Sequence, residues 1–131
     1  MASIRNEVLL QASAGEVWDA LRDFGALHRR LVPGFVIDCK LDGAARVVTF
    51  ANGLVARELL VDCDETTRRL AYAIVGGRAA HYGASAQVFA DGLAASRLLW
   101  IIDLLPDELA PTVGAMAAQG IAAMQRQFNN R

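Results

Sequence analysis

The sequence predicts an α+β protein in which a curved antiparallel sheet wraps around a long C-terminal helix. Five turn signals separate six strand-like runs between residues 35 and 105, and this alternation is typical of an antiparallel meander. Residues 107–129 then carry apolar side chains at helical spacing along one face. A sheet and a helix that each have one apolar face are expected to bury those faces against each other.

A strand and two short helices are predicted before the meander. The strand covers residues 3–11. Ser13 and Glu16 then have the spacing of a capping box, in which each side chain bonds a backbone amide at the start of a helix. A second short helix, residues 26–31, should end before Pro33, because a proline disfavours helical backbone in the residue that precedes it.

The six runs of the meander are residues 35–41, 45–51, 54–63, 69–75, 80–90 and 95–105. Asp-Gly or Asn-Gly follows three of them, and these pairs favour type I′ hairpin turns because both residues readily take a positive φ. Within the last helix, seven of the twelve residues from 112 to 123 are Ala or Gly. Such a helix either packs closely on the sheet or leaves unfilled space beneath it.

Composition and charge narrow the functional classes. With 131 residues, of which 54% are hydrophobic and 21% charged, the chain is predicted to be one globular domain, residues 1–131. The net charge of −1 and the lack of a basic stripe argue against a nucleic-acid partner. The N-terminus lacks the pattern of a signal peptide, and no apolar run is long enough to span a bilayer, so we expect a cytoplasmic protein with no membrane partner.

Residues of the types that commonly bind metals or act in catalysis are few and widely spaced in the sequence. The two cysteines lack metal-ligand spacing, so reduced thiols are expected, and neither a metal site nor a cofactor is predicted. His28 and His81 have no carboxylate or serine at a suggestive spacing, which argues against a catalytic triad. Arg46 and Arg57 could hold an anionic ligand, but an exposed position on a strand is expected for both.

Four stretches of the chain resemble a known superfamily: "AGEVWDALRDFGALHRRLVPGF", "ARELLVDCDETTRRLAYAIVGG", "HYGASAQV" and "LLWIIDLLPDELAP". They resemble the SRPBCC superfamily, which includes the START, Bet v 1 and polyketide cyclase/dehydrase proteins. The resemblance implies the helix-grip (Bet v 1-like) fold, with seven antiparallel strands around the C-terminal helix and two short helices after the first strand. It also implies an internal cavity for a small lipophilic molecule.

Residues 58–82 also resemble the plant abscisic-acid receptors, which implies that Glu58 looks into the cavity. Two departures argue against binding of that hormone. Ile37 stands where those receptors have the lysine that holds the hormone's carboxylate, and both loops that close their cavity are shorter here. A cavity closed by shorter loops is therefore expected, without the same ligand.

Strand alternation and the resemblance together predict the residues of the cavity wall. In the last two strands of the meander, Tyr82 and Trp100 lie on the more apolar face, which should point inward. Alanines on the same face leave room for a ligand. The predicted ligand-contacting residues are Ile37, Phe50, Glu58, Leu60, Tyr72, Ile74, Tyr82, Ala84, Trp100, Met116, Gly120 and Met124.

The two lines of reasoning disagree about Glu58. Leu59, Val61 and Cys63 form the apolar set of their strand, so alternation alone would point Arg57 inward and Glu58 outward. A β-bulge, or an apolar outer face, would reconcile the alternation with the resemblance. We follow the resemblance and predict that Glu58 faces the cavity.

Three functions are open at this point. The first is the binding of a small lipophilic or aromatic ligand in the cavity. The alternative is a polyketide aromatase/cyclase-type enzyme, in which Glu58, Tyr72 and Tyr82 would be the acid–base groups. The second alternative is an interaction module without a ligand.

An inward Glu58 also predicts an apolar outer face on the sheet. Monomeric proteins rarely expose an apolar face of this size, and such faces are typical of interfaces, so we predict a homodimer. The residues predicted to face outward are Arg57, Leu59, Val61, Cys63, Ala71, Ala73, Val75, Leu99 and Ile101.

Overall fold

A computed structural model describes residues 2–129 and confirms the helix-grip architecture. Two short helical turns, Phe24–Ala26 and Leu27–Leu31, follow the first helix, and a 3₁₀ turn at Asp107–Leu109 leads into the last one. The main elements are β1 (Ala2–Leu10), α1 (Ala14–Arg22), β2 (Val36–Asp42), β3 (Ala45–Phe50), β4 (Val55–Asp64), β5 (Arg69–Val75), β6 (His81–Ala90), β7 (Ser96–Leu105) and α2 (Ala110–Asn129).

The seven strands form one antiparallel sheet in the order β1-β7-β6-β5-β4-β3-β2. Five hairpins connect β2 to β7 in sequence, and β1 then pairs with β7, where Val8 lies opposite Leu98. Both of these side chains are buried in the core on the concave face. Within the described part of the chain, no helix is both long enough and apolar enough to cross a bilayer.

The first helix begins at the predicted N-cap residue, Ser13. The backbone N–H of Glu16 donates to the Ser13 hydroxyl at 3.2 Å, and Ser13 has the extended backbone of an N-cap residue. Val17, Trp18 and Leu21 share the buried face of this helix. The helix therefore closes one end of the core.

A β-bulge in β4 decides which side chains of this strand face the core. The pairing of β4 with β5 shifts register between Leu60 and Asp62, which leaves Val61 as the bulged residue. Glu58 lies on the concave face before the bulge, and Cys63 returns to that face after it. Both features that would reconcile the alternation with the resemblance are present, since the bulge returns Cys63 to the core while Leu59 and Val61 lie on an apolar outer face. The outward position predicted for Cys63 is wrong, because the bulge changes the parity of the strand.

The convex face of the sheet carries exposed apolar side chains beside this bulge. Val61 is 65% exposed and Val75 is 41% exposed, while Leu59 and Ile101 are partly exposed. Exposed apolar side chains on one face of a sheet are typical of protein interfaces. The homodimer remains a prediction, and these residues define where it would form.

A charge on this surface should dissociate the predicted dimer. We expect a dimer for the unmodified chain and a monomer for Val61→Glu, measured by light scattering at micromolar concentration. The matched control is Leu93→Glu, because Leu93 is 98% exposed in the β6–β7 loop, away from the convex face. A monomeric unmodified chain would contradict the prediction, and a dimer that survives Val61→Glu would place the interface elsewhere.

Candidate functional site

A cavity of about 320 Å³ lies between the concave face of the sheet and α2. Its wall is mainly apolar, and residues from each of the strands β2 to β7 and from α2 contribute to it. The polar side chains in the wall include Arg46, Glu58, Tyr72 and Tyr82. The cavity is therefore an apolar space with a small group of polar atoms, as is typical of sites for small organic ligands.

The β3–β4 hairpin brings Arg46 opposite Glu58. Directly opposite residues of an antiparallel pair point to the same face, so both side chains enter the concave side. The Phe50 N–H donates to the Leu54 carbonyl at 2.8 Å, so the hairpin turns through three residues, 51–53. A two-residue turn at the Asn-Gly pair would have shifted the pairing by one residue and placed Leu59 opposite Arg46.

Arg46 and Glu58 form a buried ion pair. The Nε and Nη2 atoms of Arg46 both lie 2.8 Å from Oε1 of Glu58, and the residues are only 3% and 4% exposed. Nη1 of Arg46 donates to the carbonyl of Phe24 at 3.2 Å. The guanidinium also lies 4.0 Å from the centroid of the Phe24 ring and 5.4 Å from that of Tyr72. Each nitrogen of Arg46 thus has an acceptor, and aromatic rings cover the cation.

The second carboxylate oxygen of Glu58 is left free by this arrangement. Both contacts with Arg46 go to Oε1, and no hydrogen bond to Oε2 occurs among residues 2–129. Burial raises the pKa of Glu58, and the positive charge of Arg46 opposes this rise without cancelling it. Because Glu58 lines the cavity, Oε2 is the atom that a ligand can reach.

The two tyrosines supply hydroxyl groups on the same wall. The Nε1–H of Trp100 donates to the Tyr72 hydroxyl at 3.2 Å, which leaves the proton of that hydroxyl available for another acceptor. Burial, and then the negative charge of Glu58, raises the pKa of both Tyr72 and Tyr82 above the ordinary value. Both phenols therefore keep their protons and can act as hydrogen-bond donors.

Most of the residues predicted for the wall do line the cavity. Their facing follows from the strand pairing, since Tyr72 lies opposite Ala84 and Glu58 lies opposite Ile74. Contact with a ligand remains a prediction for all of them. The predicted residues that line the cavity are Phe50, Glu58, Tyr72, Ile74, Tyr82, Trp100, Met116 and Met124.

Two predicted wall residues are instead exposed. Ile37 is 57% exposed, because the β2–β3 pairing shifts register between Val36 and Asp38 and turns the intervening side chain away from the core. Leu60 is 37% exposed and lies outside the wall, immediately before the bulge of β4. The register shift accounts for Ile37, because strict alternation does not hold at a bulge, whereas Leu60 lies opposite Tyr72 in the register and is exposed beside the bulge of β4.

Two other predicted residues are buried but lie beside the cavity, outside its wall. A Cβ atom at Gly120 would lie 3.1 Å from the Trp100 ring and 3.2 Å from the Phe35 ring, so close packing already fills the space at this glycine. Ala84 is buried among its strand neighbours. Small residues here let neighbouring groups approach, and they do not create the open space.

Arg46 is the functional candidate that the sequence reasoning placed wrongly. An exposed strand position was expected, but the side chain is buried and lines the cavity. The sequence signal for its true position is that Arg46 and Glu58 carry opposite charges on strands that are predicted to be adjacent. Arg57 is exposed and pairs with Asp42 at 2.7 Å on the surface. Neither His28 nor His81 is part of the wall.

The fold and the mainly apolar cavity define a protein of the START/Bet v 1-like class, and comparison with known proteins agrees with this. A family model described as "Polyketide cyclase / dehydrase and lipid transport" matches residues 1–131. The chain therefore belongs to this family, and its predicted SRPBCC resemblance is confirmed. No curated protein sequence matches the chain.

Solved structures share the fold at low sequence identity. The protein XoxI from Bacillus cereus is 21% identical with a TM-score of 0.88, covering 99% of this chain and 97% of that one. A START superfamily protein from Mycobacterium smegmatis is 12% identical with a TM-score of 0.77, covering 98% and 97%. A point mutant of norcoclaurine synthase from Thalictrum flavum, in complex with a transition state analogue, is 19% identical with a TM-score of 0.73, covering 95% and 92%. At these identities the likeness shows the fold alone.

Removal of Arg46 should destabilise the protein strongly. We expect Arg46→Met to lower the free energy of unfolding by about 3–5 kcal/mol at neutral pH, because it leaves the Glu58 carboxylate buried without a partner. Burial raises the folded-state pKa of Glu58 above its ordinary value, so the folded chain binds this proton more tightly than the unfolded chain does. The free energy of unfolding should therefore fall as the pH rises from the ordinary pKa of a glutamate to the raised pKa of Glu58 in the folded chain. The fall should be steeper in Arg46→Met.

Denaturant titration at several pH values measures both effects. The matched control is Arg57→Met, which breaks a surface ion pair on the same hairpin and should cost at most about 1 kcal/mol. The double change Arg46→Met with Glu58→Leu should recover most of the loss, because it buries no unpaired charge. Equal losses for Arg46→Met and Arg57→Met would contradict the importance of the buried pair.

Proposed function

We propose that the protein binds a small lipophilic or aromatic molecule in the cavity between the sheet and α2. The observation that carries this proposal is the buried Arg46–Glu58 ion pair in the wall of an otherwise mainly apolar cavity. Desolvation of two charges costs more than an apolar pair of similar size would. A polar group kept at that cost beside an open space is well suited to orient a ligand.

We infer a route from the cavity to solvent between two loops that contribute to its wall. Residues 76–79 of the β5–β6 loop contribute to its wall, together with Leu54 and Val55 of the β3–β4 hairpin. Leu54 and Val55 are 54% and 63% exposed. An apolar molecule would therefore meet apolar side chains before it reaches the polar atoms of Glu58 and the tyrosines.

A substitution that fills the cavity should weaken binding. We expect the fluorescent apolar amine N-phenyl-1-naphthylamine to bind the protein, and Ala86→Leu to weaken its binding at least tenfold, or about 1.4 kcal/mol. Ala86 is buried and lines the cavity, so the larger side chain would occupy ligand space. Fluorescence titration measures the affinity, and native mass spectrometry of the purified protein would identify a co-purified compound.

The matched control is Ala73→Leu, which makes the same change on the opposite face of the sheet. Ala73 lies opposite Leu59 in the β4–β5 pairing, and both face away from the cavity. We expect Ala73→Leu to leave the affinity unchanged. Absence of probe binding to the unmodified protein, or equal affinities for the two variants, would contradict the proposed cavity function.

A cyclase-type enzyme is the second candidate, and the free Oε2 of Glu58 favours it. A buried carboxylate with a raised pKa can serve as a general base, and the tyrosine hydroxyls could polarise a carbonyl group. The family description names cyclases and dehydrases beside lipid transport. These observations support a reaction that begins with removal of a proton from an apolar ketone.

A simple elimination tests whether Glu58 can accept a proton from a bound molecule. We expect the unmodified protein to accelerate the base-catalysed ring opening of 5-nitrobenzisoxazole, followed by absorbance. Glu58→Gln should remove the acceleration, while Glu65→Gln, on the surface beside Trp18, should keep it. Equal rates for the unmodified protein and Glu58→Gln would count against a base at this position.

A further inference from the structure

We propose that the Arg46–Glu58 pair makes the cavity selective for uncharged ligands that carry an O–H or N–H donor. The pair also disfavours ligand carboxylates at the inner end of the cavity, where Glu58 and the two tyrosines lie. This inference rests on the proposed binding function and concerns the chemical class of the ligand. It follows from which atoms of the pair are occupied and which atom is free.

Arg46 has little capacity left for an anionic ligand. Nε and Nη2 donate to Glu58, Nη1 donates to the carbonyl of Phe24, and the Phe24 ring covers the guanidinium at 4.0 Å. The carboxylate of Glu58 neutralises its charge. A ligand carboxylate could reach the cation only by displacing Glu58 and would then place a second negative charge beside it, which is unfavourable in a site of low polarity.

Glu58, in contrast to Arg46, has an atom available to a ligand. Its free Oε2 atom is an acceptor with negative charge, and an ionised carboxylate has no proton to donate. It can therefore accept from a ligand hydroxyl or amine, but it repels an anion. Hydrogen bonds to charged acceptors are stronger than those between neutral groups, so this one contact should discriminate between ligands of similar shape.

The tyrosines complete the recognition of an uncharged oxygenated molecule. Tyr72 accepts from Trp100 and keeps its own proton free, and Tyr82 lies in the same wall. Their protonated hydroxyls can donate to a carbonyl or hydroxyl oxygen of the ligand. The inner end of the cavity thus suits a phenol, an enol or an alcohol with an apolar body.

The third charged side chain in the wall, Arg78, lies at the other end of the site. It belongs to the exposed β5–β6 loop, and none of the ion pairs within residues 2–129 includes it. An anionic group at the mouth would contact Arg78 and leave Glu58 undisturbed. A test of the inner end must therefore also be made with Arg78→Gln.

Three naphthalenes of similar size separate the contributions of charge and donor. They are 2-naphthol, which is uncharged with an O–H donor, 2-methoxynaphthalene, which is uncharged without a donor, and 2-naphthoate, which is anionic. Each competes with bound N-phenyl-1-naphthylamine at neutral pH. We expect 2-naphthol to bind about tenfold more tightly than 2-methoxynaphthalene, and 2-naphthoate to bind most weakly, both in the unmodified protein and in Arg78→Gln.

Glu58→Gln should reverse part of this order. The change leaves the charge of Arg46 uncompensated, so the affinity for 2-naphthoate should rise about tenfold while the advantage of 2-naphthol shrinks. Asp91→Asn removes the same charge from the β6–β7 loop and should change neither affinity. If Glu58→Gln does not fold, the double change Arg46→Gln with Glu58→Gln carries the test, and the advantage of 2-naphthol over 2-naphthoate should fall several-fold.

The outcomes distinguish this inference from the function on which it rests. If N-phenyl-1-naphthylamine does not bind at all, the proposed function fails and the inference fails with it. If the fluorescent probe binds but 2-naphthoate competes as well as 2-naphthol in Arg78→Gln, the cavity binds ligands and the selectivity is refuted. An order of affinities that neither Glu58→Gln nor the double variant changes would also refute it.

Discussion

The buried ion pair between Arg46 and Glu58 is the constraint on which the interior of this protein depends. One guanidinium joins β3 to β4, bonds the carbonyl of Phe24 in the turn that follows α1, and lies near the ring of Tyr72 on β5. The desolvation of both charges is unfavourable, and the charge-assisted bonds and aromatic contacts offset it only while every partner stays in place. The position of the hairpin relative to the short helical turns is thereby linked to the electrostatics of the cavity.

The sequence predicts the strands well because each turn signal acts locally, but it does not predict the register. The Asn-Gly pair correctly marks the β3–β4 hairpin, yet the turn that forms spans residues 51–53 and is one residue longer than a two-residue turn. That difference of one residue determines whether Glu58 or Leu59 lies opposite Arg46. Alternation also failed for Glu58, because the apolar side chains of Leu59 and Val61 lie on the outer face of the sheet, and the bulge at Val61 changes the facing only of the residues after it.

The shape of the cavity depends on packing, which patterns of single residues describe poorly. Gly120 allows α2 to approach the rings of Trp100 and Phe35. The small residue therefore closes the gap between helix and sheet at this point of α2 and does not open a cavity there. Phe35 and Phe50 then pack edge to face with their centroids 5.2 Å apart and close that side of the site. Open space remains farther along α2, where Met116 lines the wall. A count of alanines and glycines can predict that a cavity exists, but it cannot predict where it lies.

The same pair also bears on the choice between binding and catalysis. A general base must take up a proton during the reaction, and the burial of Glu58 favours this because it raises the pKa. Arg46 acts in the opposite direction, since its charge stabilises the carboxylate and would be left uncompensated once Glu58 was protonated. The pair is thus better suited to hold a hydrogen bond from a ligand than to remove a proton completely. A reaction in this cavity would require the ligand itself, or one of the tyrosine hydroxyls, to stabilise the charge that develops on the substrate.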